Sequence, residues 1–336
     1  MFLLTQMDVY MSKKFFKLNN TTKTLGKIFP ALLICTPAVA FSAIIDQSTS
    51  VPQDFSADAE YVINQDVTIS SADSEAAVSV SGFKVNNATN NGNISGTGNG
   101  LNINTGVQSV VINNGIGATI SSTTANAVNI KSLRGDFNNS GSIIGAENGM
   151  FVSKGSSALN ITNTSNGMIK GKTGLSTQAG IGINNYGSII GTNGDAITAD
   201  YGNTKVINSC TVQGTDNGIS SKDTANLDIL NSGTISGETN AIMFASSEIN
   251  TLLLDTGSTL IDDVISTNSK GNTLTLIGTG TEDSNFIGLN EGDGFASVTM
   301  NGESWALSGN IDIIGSGDSL LVETGANPGG RRIQHR

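Results

Sequence analysis

Between residues 90 and 265 one phrase of the chain keeps returning, and that repetition limits the folds open to it. The phrase reads NNSGSIIGAENGM at 138–150, NTSNGMIKGKTGL at 163–175 and NNYGSIIGTNGDAI at 184–197. It returns as INSCTVQGTDNGI at 207–219 and LNSGTISGETNAI at 230–242, with looser copies at 90–101, 113–122 and 254–263. Its central apolar residues are Ile94, Ile120, Ile143, Ile169, Ile189, Val212, Ile235 and Leu260, spaced by 26, 23, 26, 20, 23, 23 and 25 residues. A period near 24 with no 3.6-residue pattern inside it is the signature of a β-solenoid, in which each repeat is one coil.

One coil can be parsed from 227–244. Leu227 and Ile229 alternate with polar residues and so share one side of a short strand. Ser232 and Gly233 make a turn, Ile235 is the inward residue of a second strand, and a turn over 237–240 leads to a third strand at 241–244. Three strands per coil predict an all-β fold, a right-handed single-stranded parallel β-helix of about 24 residues per coil. About ten coils fit between 60 and 310, which at roughly 4.8 Å per coil makes a rod on the order of 50 Å long.

Composition agrees with this and removes alternatives. Gly contributes 41 residues and Asn 38, only 5% of the chain is aromatic, and 37% is hydrophobic, more than a disordered chain carries. Gly has no three-residue period and Pro occurs 4 times, which excludes collagen. The single His, His335, stands second from the end, which excludes His-activated nucleophiles and His-ligated metals. Cys35 and Cys210 are too few for a disulfide framework or a Cys-rich zinc site. No cofactor is expected, and a stack needing no metal is.

Two residues before the turn glycine runs a column of Asn90, Asn113, Asn139, Ser165, Asn185, Asn208, Asn231 and Asp255. Inward amides at one bend can bond to the amides above and below, so the column reads as a structural Asn ladder before it reads as a binding site. The glycines that follow (Gly92, Gly115, Gly141, Gly167, Gly187, Gly233 and Gly257) mark a bend expected to need positive φ. Cys210 interrupts them, and a strained backbone there would make Cys210→Gly neutral or stabilising.

Residues 1–40 differ from the rest. Lys13, Lys14, Lys17, Lys23 and Lys27 precede an apolar stretch, IFPALLICTPAVA at 28–40, that is too short to span a bilayer and ends in Ala38-Val39-Ala40. This reads as a secretory signal peptide cleaved near Ala40. Its removal leaves 12 basic and 27 acidic residues, a net charge of about −15. A chain so acidic repels nucleic acid, whose phosphates need Lys and Arg.

The Gly- and Asn-rich coils behind a signal peptide resemble the passenger domains of bacterial autotransporters (type V secretion), over residues 60–320. Asn272-Thr273-Leu274-Thr275-Leu276 and Trp305-Ala306-Leu307-Ser308-Gly309 are similar to phrases of the passenger's C-terminal, autochaperone-like cap. The resemblance divides the chain into signal peptide (1–40), N-terminal cap and first coils (41–89), β-helix repeats (90–265), cap (266–322) and a non-solenoid tail (323–336). Trp305 would cover the open end of the solenoid. The resemblance implies a non-catalytic surface or secreted adhesin-like protein, a host-cell or cell–cell adhesion partner, and an outer-membrane barrel for translocation. No membrane-type strands follow the cap in this sequence, so a periplasmic destination is expected unless a barrel partner carries it.

Other chemistry is thinner. Gly317-Asp318-Ser319-Leu320 spells the block of GDSL esterases, which need a later D-x-x-H, but Arg332 stands three residues before His335. Arg134-Gly135-Asp136 is an integrin-type tripeptide and the weak cell-binding candidate, with an ordinary turn as its plain reading. The enzymatic alternative is a β-helical polysaccharide lyase or hydrolase, which needs clustered carboxylates on one sheet. Asp195, Asp200, Asp216, Asp223 and Asp228 fall at varied phases of the repeat and form no column, while Asp262 and Asp263 read as a solvated turn. Calcium-binding G-G-x-G-x-D repeats are absent. A left-handed trimeric adhesin head would show a much shorter repeat.

Overall fold

A computed structural model describes residues 42–104, 110–267, 271–283, 286–288, 295–308, 319–322 and 327–330. The expected signal peptide, 1–40, lies outside the described residues. Among those described there is no helix: the chain is all-β, a stack of parallel strands winding through about 10 turns of about 23 residues each.

Each coil lays down three short strands, one per face. The second face is the simplest, with nine strands stacked in parallel register from Thr68–Ser71 to Thr259–Ile261. Its inward residues are Ile69, Ile94, Ile120, Ile143, Ile169, Ile189, Val212, Ile235 and Leu260, each opposite the next. All are buried. Branched side chains suit this pleated surface, and each contributes roughly 1.5–3 kcal/mol by leaving water. The parse of 227–244 matches strands at Asn217–Asn231, Thr234–Ser236 and Asn240–Phe244, with Leu227, Ile229 and Ile235 buried.

The first and third faces each begin as short strands, but two strands, Ile197–Asn208 and Asn217–Asn231, run through the corner between them and join both faces into one sheet. The register shifts between Ala199 and Tyr201, and Gly202 takes a φ of +74°. A bulge lets a strand bend at a corner where other coils turn.

The glycine column departs from its expected reason. Of the seven glycines only Gly257 has positive φ, +90°. At Gly92, Gly141, Gly187 and Gly233 an added Cβ would stand 2.2–2.3 Å from a carbonyl oxygen of the preceding coil. Close stacking, not handedness, selects glycine there. Cys210 occupies the same register without positive φ, so the premise of backbone strain fails. Its thiol is free and half-buried.

Toward the C-terminus, Asn272–Glu282 pairs along its length with Phe295–Leu307. Trp305 lies opposite Gly280, with its indole in the space a Cβ there would need, and its Nε1–H donates to the Ile277 carbonyl at 3.0 Å. The ring is inside the stack and not at its open end, since Asn327–Gly330 pairs beyond it with Ser304–Leu307. Those four residues, expected in the non-solenoid tail, extend the stack.

Candidate functional site

Two amide ladders run along the described coils. The first occupies the last inward position of the first face. Asn90 Nδ2 donates to Asn114 Oδ1 (2.9 Å), Asn114 to Asn139, Asn139 to Asn163, Asn163 to Asn185, Asn185 to Asn208 and Asn208 to Asn231, the last five at 2.8 Å. All seven side chains are buried. Each of the first six Nδ2 groups also donates to a backbone carbonyl at the start of the next coil's second-face strand, from Thr119 to Thr234. At four coils the Oδ1 accepts from the amide of the bend glycine or of Cys210. The rungs therefore hold both the bend and the stack.

Asn90, Asn139, Asn185, Asn208 and Asn231 stand in this ladder; Asn113 does not. Asn113 faces outward in a short surface ladder, donating to Asn87 Oδ1 and accepting from Asn138 Nδ2, both at 3.0 Å. Asn114 takes the rung because its turn, Gly115 to Ala118, is two residues longer than the turn after Asn139. Counting back from the glycine lands one residue short, and one residue on a strand reverses the face. The same longer turn moves the rung from Ser165 to Asn163. At the last coil Leu254, not Asp255, faces Asn231, and Asn231 Nδ2 donates to Ser258 Oγ at 2.8 Å.

The second ladder is not anticipated by the glycine spacing. It lies at the corner leading into the third face and donates the opposite way, from later coil to earlier. Asn148 Nδ2 donates to Asn126 Oδ1 (2.8 Å), and the Asn126 backbone amide to Asn99 Oδ1 (3.2 Å). Thr173 interrupts the column. Beyond it, Asn240 Nδ2 donates to Asn217 Oδ1 and Asn217 Nδ2 to Asp195 Oδ1, both at 2.7 Å. A signal is present in the sequence: these residues begin the N-G-M, D-A-I, N-G-I and N-A-I pieces of the repeated phrase.

Asp195 anchors a charged corner of the described chain. Its carboxylate accepts from the Asn217 amide and side chain, Thr198 Oγ1 (3.0 Å) and Ser220 Oγ (2.6 Å), and pairs with Lys222 at 3.5 Å. Burial alone would push its pKa up, but the bonds from Ser220 and Asn217 and the charge of Lys222 outweigh it and hold the carboxyl below its ordinary 3.8. Nearby Asp200 is pushed the other way, by burial first and by Asp223, against the pull of Lys222. Lys154 sits over the Tyr201 ring, 3.4 Å from its centroid. Two carboxylates with unlike protonation tendencies beside two lysines are the raw material of acid–base chemistry.

Arg134, Gly135 and Asp136 do not form a protruding turn. Gly135 and Asp136 open the strand Gly135–Asn139, paired on both sides by Val110–Asn114 and Leu159–Asn163. Arg134 Nε donates to Ser157 Oγ (3.0 Å), and Asp136 Oδ1 accepts from Asn160 (3.3 Å). The tripeptide lies flat on the rod and is held by the following coil. Among the described residues no group of three His, Cys, Asp or Glu side chains is placed to hold a metal ion. Comparisons with protein families, with curated proteins and with solved structures find no match.

Proposed function

We propose that this chain is an exported autotransporter passenger that acts as a non-catalytic, adhesin-like rod. The observation that supports this reading is the self-sufficiency of the stack. Its ladder of seven asparagines spends its donors on the next coil, so the repeat's most recurrent polar residue serves architecture and leaves the outer surface to carry interaction. A long, acidic, internally paired surface suits display outside the cell, with a β-barrel in the outer membrane as its translocation partner. The test is to express the chain joined to such a barrel and to measure surface display by protease accessibility, then bacterial autoaggregation and host-cell attachment. Display without gain in either adhesive property would overturn the adhesin reading.

The charged corner favours one second reading, a β-helical polysaccharide lyase or hydrolase using Asp200 with Lys154 or Lys222. An assay for new reducing ends or unsaturated products across a polysaccharide panel decides it. Activity abolished by Asp200→Asn would replace the first reading; no activity on any substrate would remove the second.

A further inference from the structure

We propose that Glu282 is a protonation-controlled latch that fastens the C-terminal coils to the ladder-bearing stack, locked when neutral and loosened when ionised. The geometry that carries this is the end of the second face. Among the described residues Thr259–Ile261 is the last of its nine strands. In a parallel ladder alternate amides point to opposite neighbours, so the Leu260 amide points to where a tenth strand would stand. Both carboxyl oxygens of Glu282 meet it instead, at 3.1 Å. Glu282 Oε1 also accepts from Ser258 Oγ at 3.3 Å, and Ser258 is the residue that receives the last donor of the asparagine ladder. One side chain thus caps both the edge of a sheet and the end of a hydrogen-bonded string, across the joint between two coils.

That side chain is 3% exposed. Among the described residues, the segments packed around it carry no cation to balance a negative charge. Residues 255–263, 272–283 and 295–307 contain no Lys, Arg or His. The ionisable residues beside it and on the coil beneath are acidic: Asp283, Asp255, Asp262 and Asp263. Burial, with a smaller push from Asp283, raises the carboxyl to about 7 against the opposing bonds from Leu260 and Ser258. A folded-state pKa above the unfolded value of 4.5 means the latch is fully effective below about 4.5 and is lost as pH rises through about 7.

Amide hydrogen exchange of the full mature chain, corrected for chemical exchange rates, tests this between pH 5 and 8.5. Protection of 258–261 and 272–283 should fall by roughly 100-fold over that range while 142–144 and 188–191 hold theirs. Glu282→Gln keeps the acceptor without the charge and should stay protected at both pH values. Asp283→Asn removes a repulsion that adds to burial, so the midpoint should move to lower pH. A flat wild-type profile, an equal pH dependence in Glu282→Gln, lower protection of Glu282→Gln at both pH values, or an upward midpoint in Asp283→Asn would each overturn the latch.

Discussion

The inward column at the end of the first face changes character along the rod. Through seven consecutive coils it is asparagine, from Asn90 to Asn231. Beyond Asn231 its register partners are Leu254, Leu276 and Met300. In the first region a buried polar group is satisfied because its copy lies one coil away and carries the same donor and acceptor. In the second region the column holds no such copy and is apolar and buried. Polar residues are tolerable inside a solenoid in proportion to how regularly they repeat, since each rung depends on both neighbours.

Breaking the middle of the ladder should cost the most stability. Asn163→Ala removes the donor to Asn185 and the acceptor for Asn139, leaving buried groups unmade on both sides. At roughly 1–3 kcal/mol for each orphaned group the loss should reach about 3–5 kcal/mol in urea unfolding. Asn90→Ala orphans only one neighbouring rung and should cost clearly less. Equal losses at the two sites would show that the ladder adds nothing beyond local turn bonds.

Leu276→Asn places an amide in the column where Leu254 and Met300 are its neighbours. With no partner on either side it should destabilise by about 2–4 kcal/mol, combining lost packing with an unpaired buried amide. Leu254→Asn extends the ladder by one rung beside Asn231 and should cost less than Leu276→Asn. The reverse order would mean that the register partner does not determine the cost.

The two buried carboxyls at the ladder ends differ in what surrounds them. Asp195 receives four hydrogen bonds and Lys222, which together overcome burial. Glu282 receives the Leu260 amide and the Ser258 hydroxyl, and among the described residues no cation stands in the segments packed around it. Their pH dependences therefore have opposite signs. Asp195, with its pKa lowered, contributes stability that is present above 3.8 and is lost as pH falls through its folded value. Asp195→Asn should flatten the acid limb of the stability profile, leaving the limb between 4.5 and 7 to Glu282. An unchanged acid limb in that variant would show that another carboxylate governs acid unfolding.

The same contrast between repeated and solitary residues sets what is legible in the sequence. The column from Ile94 to Leu260 is legible because an apolar residue flanked by small polar ones every 20–26 positions fits the core of a solenoid and little else. Asn113 is misplaced by the spacing because glycine marks two turn lengths, and a rule keyed to glycine cannot tell them apart. The second ladder escapes because its asparagines adjoin glycine or alanine in a way that also describes an ordinary turn. Glu282 carries no signal, since it occurs once and its role depends on where the second face ends. The Asp195 corner is dispersed in sequence and is assembled only by strands that run through the bend.

The smallest effect expected is at Cys210, and it tests the reason glycine fills that register. Cys210 lies between Gly187 and Gly233, where an added Cβ would crowd the coil beneath at 2.3 Å. Yet its own bend keeps the same bonds: its amide donates to Asn208 Oδ1 at 3.4 Å, and its carbonyl accepts from Thr234 at 2.7 Å. The bend at Cys210 therefore holds a Cβ while keeping these bonds. Cys210→Gly relieves that crowding but restores the freedom of glycine in the unfolded chain, which works against folding by about 0.4–1 kcal/mol. The two terms oppose, so the change in stability should stay within about 0.5 kcal/mol. Gly187→Ala lacks any prior accommodation, so its loss should be several times larger in the same urea titration. If the two substitutions cost the same, backbone entropy and not coil-to-coil contact is what keeps glycine at the bend.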